Sequence, residues 1–236
     1  MFCYETDYLC RYRFEKLESF LSNHGNLLMT PSAKMLLYST LVFLSKNPGK
    51  IPRLIDFGGA CGESIILLSS IFGEEIFKSS WVIESPEQAK ASRKYKFSSK
   101  VQFQSDLESV LENEKVDIFF TSCAIHYLKS PYEPLKIIAR KKVPFVCLTR
   151  NNFSLSPSYY AQVTNISENG TGVHLSTFDD REIWYPTSSI KESKVKEIFA
   201  SQNYIVSFQE SGTQSGVIDK RTGYSNDICF SIKTFD

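Results

Sequence analysis

Leu54-Ile55-Asp56-Phe57-Gly58-Gly59-Ala60-Cys61-Gly62 decides how the rest of the chain reads. A short apolar run ends in an acid, and a turn bracketed by Gly58 and Gly62 leads into the apolar stretch 63–72. That is the pattern of a buried strand, a tight glycine turn and a helix. The turn is G-x-A-x-G. A dinucleotide site wants G-x-G-x-x-G, with a small residue where this chain has Glu63. A carboxylate there faces a pyrophosphate unfavourably. No Gly-Lys-Ser/Thr follows, so the turn is no Walker A loop. A nucleotide-sized ligand without phosphates fits better. Asp56 is placed to receive an ammonium, and bare glycine backbone lets the ligand come close.

The alternation continues outward from this turn. Apolar runs at 53–57, 81–84, 101–104, 116–121 and 144–149 interleave with helical stretches at 63–72, 86–95, 106–113 and 131–140. Ser85-Pro86-Glu87-Gln88, Ser105-Asp106-Leu107-Glu108 and Ser130-Pro131-Tyr132-Glu133 read as helix-start boxes after apolar runs. Repeated strand–helix units imply a parallel sheet covered on both faces. Residues 189–202 then read as a helix opened by Ser189 and Glu192, and 204–210 and 227–233 as strands flanking a loop rich in Gly, Ser and Thr. The expected fold is α/β: a doubly wound, mostly parallel, seven-stranded Rossmann-like sheet finished by an antiparallel hairpin. Residues 1–50, with helices at 14–23 and 32–46, form an N-terminal helical extension to a main domain at 51–236. Residues 151–188 lack a clean period and read as an insertion or lid.

Among the 236 residues, 27 Lys and Arg against 26 Asp and Glu give a net charge of +1. Near-neutrality gives no general electrostatic reason to bind nucleic acid or an anionic membrane. Cys3, Cys10, Cys61, Cys123, Cys147 and Cys229 form no CxxC, and His24, His126 and His174 are not spaced with any cysteine pair. Free thiols in a reducing cytoplasm and no metal site are expected. The N-terminus lacks an apolar signal core, and the apolar stretch 35–44 is too short to span a bilayer. A soluble, cytoplasmic protein is the expectation.

Two further acids sit at strand tips. Glu84 ends the second strand, where an acid commonly accepts two ribose hydroxyls; otherwise it is a helix N-terminal charge. Asp106 follows the third strand, where it either meets an adenine amine or favours the helix dipole.

The stretch 56–62, Glu84, Asp106 and Val116-Asp117-Ile118-Phe119-Phe120-Thr121-Ser122-Cys123-Ala124-Ile125-His126-Tyr127-Leu128 resemble the successive motifs of class I S-adenosylmethionine-dependent methyltransferases. The resemblance covers roughly residues 51–149. Cys147-Leu148-Thr149-Arg150 with Phe153, Trp184-Tyr185-Pro186 and the final helix and strands resemble, less specifically, a poorly characterised bacterial methyltransferase family often associated with surface-polysaccharide biosynthesis. The resemblance implies S-adenosyl-L-methionine as cofactor, with Asp56, Gly58, Gly59, Ala60 and Gly62 along its methionine end. It implies Glu84 at the ribose, Asp106 and Leu107 at the adenine, and Ser122 beside the sulfonium. Ala60 stands where the common pattern has a third glycine.

Methyl transfer to oxygen either rests on positioning alone or also uses a base. His126, at the fourth strand tip, is the base candidate; the other reading is a core histidine shaping the pocket. Tyr127 reads as a wall. Arg150, at the end of the fifth strand, either clamps an acceptor carboxylate or phosphate or pairs with Asp179 or Asp180. Tyr159, Tyr160, Trp184 and Tyr185 either stack on a sugar or apolar acceptor or form a small second core. The function expected is methylation of a small molecule or glycan precursor, at oxygen. The competing classes are a non-catalytic cofactor-binding or interaction module and an NAD-dependent sugar enzyme.

Overall fold

The computed structural model describes residues 7–23, 29–95, 100–211 and 224–233. Five strands run parallel: β1 (Arg53–Phe57), β2 (Ser79–Ile83), β3 (Val101–Gln104), β4 (Ile118–Ser122) and β5 (Phe145–Ser154). The last two strands, β9 (Tyr204–Ser211) and β10 (Tyr224–Ile232), pair antiparallel, and β10 joins β5. The path is β3-β2-β1-β4-β5-β10-β9, and the two-residue β8 (Ile190–Lys191) adds an eighth strand against β5. The seven expected strands are all present. From β1 the chain winds outward through β2 and β3, then returns to the other side of β1 with β4. The switch point between β1 and β4 opens a crevice at the C-terminal strand ends.

Alternation along the strands divides the core in two. Ile55, Trp81, Phe119 and Val146 face α5 (Leu107–Asn113), α6 (Glu133–Arg140) and α7 (Glu192–Ala200). Leu54, Val82, Phe120 and Cys147 face α1 (Asp7–Ser22), α2 (Pro31–Lys46), α3 (Glu63–Phe72) and α4 (Pro86–Ser92). Both sides of the central strands are therefore buried, which is why they read as continuous apolar runs; the edge strand β3 alternates instead, with Gln102 and Gln104 exposed.

The helix starts differ in detail from their expected boxes. Ser85 caps α4, its side chain accepting from the Gln88 N–H. At α5 the cap is Asp106, one residue later than Ser105. α6 starts at Glu133 with no side-chain cap, and α7 starts at Glu192, with Ser189 bonded to Ser154 and Ser158 instead. Neighbouring polar residues compete for each cap, and tertiary contacts choose among them. β5 runs five residues past its expected end at 149, because Arg150–Ser154 pair onward with β10 and β8. The polar run Arg150-Asn151-Asn152 conceals this, although both asparagines are buried.

Beyond β5 the chain forms a separate ribbon, β6 (Tyr159–Asn165) against β7 (Glu182–Ser188). Leu9 and Tyr12 of α1 pack with Ile166, Phe178 and Ile183 around this ribbon in a small core of its own. Cys10, Cys61, Cys123, Cys147 and Cys229 are free thiols, all buried but Cys123. Cys3, His24 and most of the expected loop, residues 212–223, lie outside the described residues. Among the described residues no helix is long and apolar enough to cross a membrane.

Candidate active site

The glycine turn is shaped for close approach. Gly58 sits at φ 72, and its N–H donates to the Ile83 carbonyl at 2.8 Å, tying the turn to β2. A side chain here would place Cβ 2.1 Å from Ala124 Cβ. At Gly59 a Cβ would meet the Asp56 carboxyl at 2.4 Å. Asp56 is 2% exposed, yet it lines the cavity above the turn. No hydrogen bond reaches its carboxyl from the described residues. Burial, then the charges of Glu84 and Glu63, push its pKa up to about 8, against the pull of Arg13.

Ala60 occupies a left-handed position, φ 50, that disfavours a side chain by roughly 1 kcal/mol. Two contacts hold it there. Its N–H donates to Glu84 Oε1 at 2.7 Å, and its carbonyl accepts from Ser92 Oγ at 3.3 Å. Gly62, at φ 76, opens α3. Cys61 turns away from the cavity to pack under Cys10 of α1.

The cavity encloses about 730 Å³ at the C-terminal ends of β1 and β4. Asp56, Gly58, Gly59, Ser122 and Cys123 form its floor, and Arg150 and Tyr127 one wall. Its cover comes from two distant parts of the chain. Arg13 and Phe20 of α1 and the α2 entry at 29–32 supply one side; Gln162, Thr164 and residues 168–172 supply the other. Sequence reasoning did not find Ser32. It sits behind the Thr30 cap and Pro31 of α2, and its Oγ lies 2.7 Å from Ser122 Oγ. Arg13 was also missed; it pairs with Glu63 at 3.0 Å, above the glycine turn.

The remaining expected site residues fall into two groups. Ser122 and Arg150 line the cavity; Glu84, Asp106 and Leu107 do not. Glu84 stands at the tip of β2, but its carboxylate accepts from the Ala60 and Ser85 N–H groups. Asp106 caps α5, accepting from the Ser109 N–H at 3.1 Å, and Leu107 is in the core.

His126 sits behind the cavity wall and not in it. It is 1% exposed and lies outside the cavity lining. Nδ1 accepts the Asn152 N–H at 3.3 Å, and Nε2 lies 3.8 Å from Cys123 Sγ. Burial drives its pKa down to about 4. Packed behind Cys123 and Tyr127, the ring has the surroundings of the core-histidine reading. Arg150 pairs with neither Asp179 nor Asp180, which bind Arg181 and Ser167. Of the four insertion aromatics only Tyr185 lines the cavity, edge-on to Tyr127 at 5.0 Å. Tyr159 is 79% exposed on the outer ribbon face. His174 bonds Tyr12 across the ribbon core at 3.0 Å.

The fold is similar to that of solved S-adenosylmethionine-dependent methyltransferases. A methyltransferase of that kind from Clostridium acetobutylicum superposes with a TM-score of 0.59 over 95% of this chain and 100% of its own, at 12% identity. CalS10, an amino pentose methyltransferase from Micromonospora echinaspora involved in calicheamicin biosynthesis and solved with S-adenosylmethionine bound, gives 0.54 over 91% and 95%, at 11% identity. The CcbJ methyltransferase from Streptomyces caelestis gives 0.53 over 94% and 98%, at 8% identity. At such identities the likeness is one of fold. No family model matches the sequence, and no curated protein matches it significantly.

Proposed function

We propose that the chain is an S-adenosylmethionine-dependent methyltransferase acting on a small molecule or glycan precursor, with oxygen as the receiving atom. The observation that carries this reading is the Asp56 carboxyl: buried, without a partner among the described residues, and facing a cavity at the switch point of the sheet. An ammonium is the partner it lacks. The methionine end of the cofactor offers one, and the Gly58–Gly59 backbone leaves room for it. When bound, this cofactor supplies an electrophilic methyl group on a sulfonium.

The chain's own part is to bind and orient. Asp56 holds the ammonium, and Ser122 flanks the sulfonium side. Glu84, Asp106 and Leu107 stand at the second and third strand tips, where the ribose and adenine would extend. Glu84 then serves twice, as the clamp of Ala60 and as a ribose acceptor. The acceptor enters beside Cys123, Tyr127, Arg150 and Tyr185. Ser32, Ser122 and Tyr127 put hydroxyls along that wall, which suits hydrogen bonding to an acceptor hydroxyl. In-line positioning in a covered pocket is the main catalytic contribution. The setting that fits the sequence resemblance is a cytoplasmic step in making surface polysaccharide.

The test is calorimetric titration with S-adenosylmethionine and NAD, followed by incubation with methyl-labelled donor and a panel of cell-surface sugar precursors and small hydroxylated acids. Binding of S-adenosylmethionine and not NAD, with label in an oxygen-linked product, is expected. No S-adenosylmethionine binding overturns the reading. Tight binding without transfer to any acceptor leaves a cofactor-binding module.

A further inference from the structure

Arg150 is the one arginine on the acceptor wall, and its backbone sits in the left-handed region at φ 56. That conformation is unfavourable for a side-chain-bearing residue. Asp227, buried on β10, holds it: Oδ1 accepts the Arg150 N–H at 3.0 Å and the Thr149 hydroxyl at 2.6 Å. The side chain is half-buried. Its Nη1 donates to Ser32 Oγ at 3.2 Å, and Ser32 rests against Ser122. No other bond to this guanidinium is made among the described residues, and no carboxylate there lies within 4.0 Å. A guanidinium offers five N–H donors in a fork suited to carboxylate and phosphate. Arg13, across the same cavity, has Glu63 as its counter-charge.

Position separates the two possible sources of an anion. In the cofactor the ammonium and carboxylate share one carbon, so a carboxylate anchored through Asp56 stays above β1. Arg13 is the cation on that side. Arg150 stands two strands away, across β4, which is about 10 Å of sheet width. It shares that end of the cavity with Cys123, Tyr127 and Tyr185.

We propose that Arg150 is the anion clamp of the acceptor subsite, so that the molecule methylated carries a carboxylate or phosphate group beside its receiving atom. This rests on the methyltransferase reading for the word acceptor; the anion subsite itself does not. Ser32 is the positioning residue that aims the fork.

The experiment titrates malonate, inorganic phosphate and, as the neutral control, malonamide into the full chain by calorimetry. Each titration is run with and without saturating S-adenosylhomocysteine, on the natural chain, Arg150→Ala and Arg150→Lys, with folding checked by circular dichroism. One of the two anions should bind the natural chain and malonamide should not. Which anion binds better tells carboxylate from phosphate. Arg150→Ala should weaken that anion by about 10- to 100-fold. Arg150→Lys should recover part of it, and S-adenosylhomocysteine affinity should stay unchanged in both. No anion binding to the natural chain, or equal binding to Arg150→Ala, overturns the proposal. So does a tenfold or greater loss of S-adenosylhomocysteine affinity in Arg150→Ala, which assigns the guanidinium to the cofactor carboxylate. If S-adenosylhomocysteine does not bind at all while Arg150-dependent anion binding persists, the methyltransferase reading fails and the anion subsite stands.

Discussion

Asp56 joins stability to ligand binding through one proton. Its folded pKa of about 8 lies well above the ordinary carboxylate range, so in the free chain at pH 7 the carboxyl is mostly protonated. Pairing with an ammonium needs the carboxylate, so binding near neutrality must release the proton. Affinity for S-adenosylhomocysteine should therefore climb from pH 6 to pH 8 and level off above it. Titrations at pH 7 in phosphate and in Tris, whose ionisation enthalpies differ, should report about one proton released. Asp56→Asn should abolish the release and weaken binding by about 10- to 100-fold. The stability effect has the opposite direction. A carboxyl with a raised folded pKa adds its full contribution below the unfolded value near 3.8 and loses it as pH rises through about 8. At pH 9 the Asn variant should melt above the natural chain, and an unchanged or lower melting point there would remove the desolvated-carboxyl account.

At the scale of elements, the cavity cover is held by one buried lysine. Lys16 of α1 is 3% exposed, and its Nζ donates to the Ser167 and Asn169 carbonyls at 2.8 and 2.9 Å. Burial lowers its pKa. Around it the Tyr8 hydroxyl accepts the Asp179 N–H, and Arg11 lies over Phe178. Lys16→Met keeps the stem and removes the donor from two part-buried carbonyls, at about 1–3 kcal/mol in all. A lower melting point and faster S-adenosylhomocysteine dissociation in stopped-flow are expected, because the two covering pieces then part more easily. None of this latch was legible in the sequence: residues 16 and 169 are 153 apart, and no local pattern links them. The sheet was legible because its central strands are short apolar runs that local chemistry punctuates. That Asp56, Ser122 and Arg150 lie along strand ends at the cavity was legible for the same reason. The sequence left both readings of His126 open, because whether a tip histidine faces a cavity or the core depends on Asn152 and on Thr187 and Ser188, whose hydroxyls donate to its carbonyl.

For the whole molecule, the site joins three parts of unequal kind. Its floor belongs to the doubly wound sheet, buried on both faces. Its cover belongs to α1 and the α2 entry, which pack on the sheet side through Cys10, Phe14 and Leu17, and to the β6–β7 segment, which shares only a small core with α1. Local opening is easiest where few apolar contacts are buried, so the β6–β7 side of the cover should open far more often than the sheet. A ligand in the cavity touches both parts and must couple them. Hydrogen exchange read by mass spectrometry, with and without S-adenosylhomocysteine, should therefore slow in two places besides the glycine turn: α1 around residues 12–20, and residues 162–172. Exchange in β9 and β10 should not change, since neither strand lines the cavity. Lys16→Met should keep the protection at the turn and lose most of it in the cover. Protection confined to 56–63 and 118–123 in the natural chain would mean that the ligand sits on the sheet edge without engaging the cover, and the acceptor wall would then have to be sought outside this cavity.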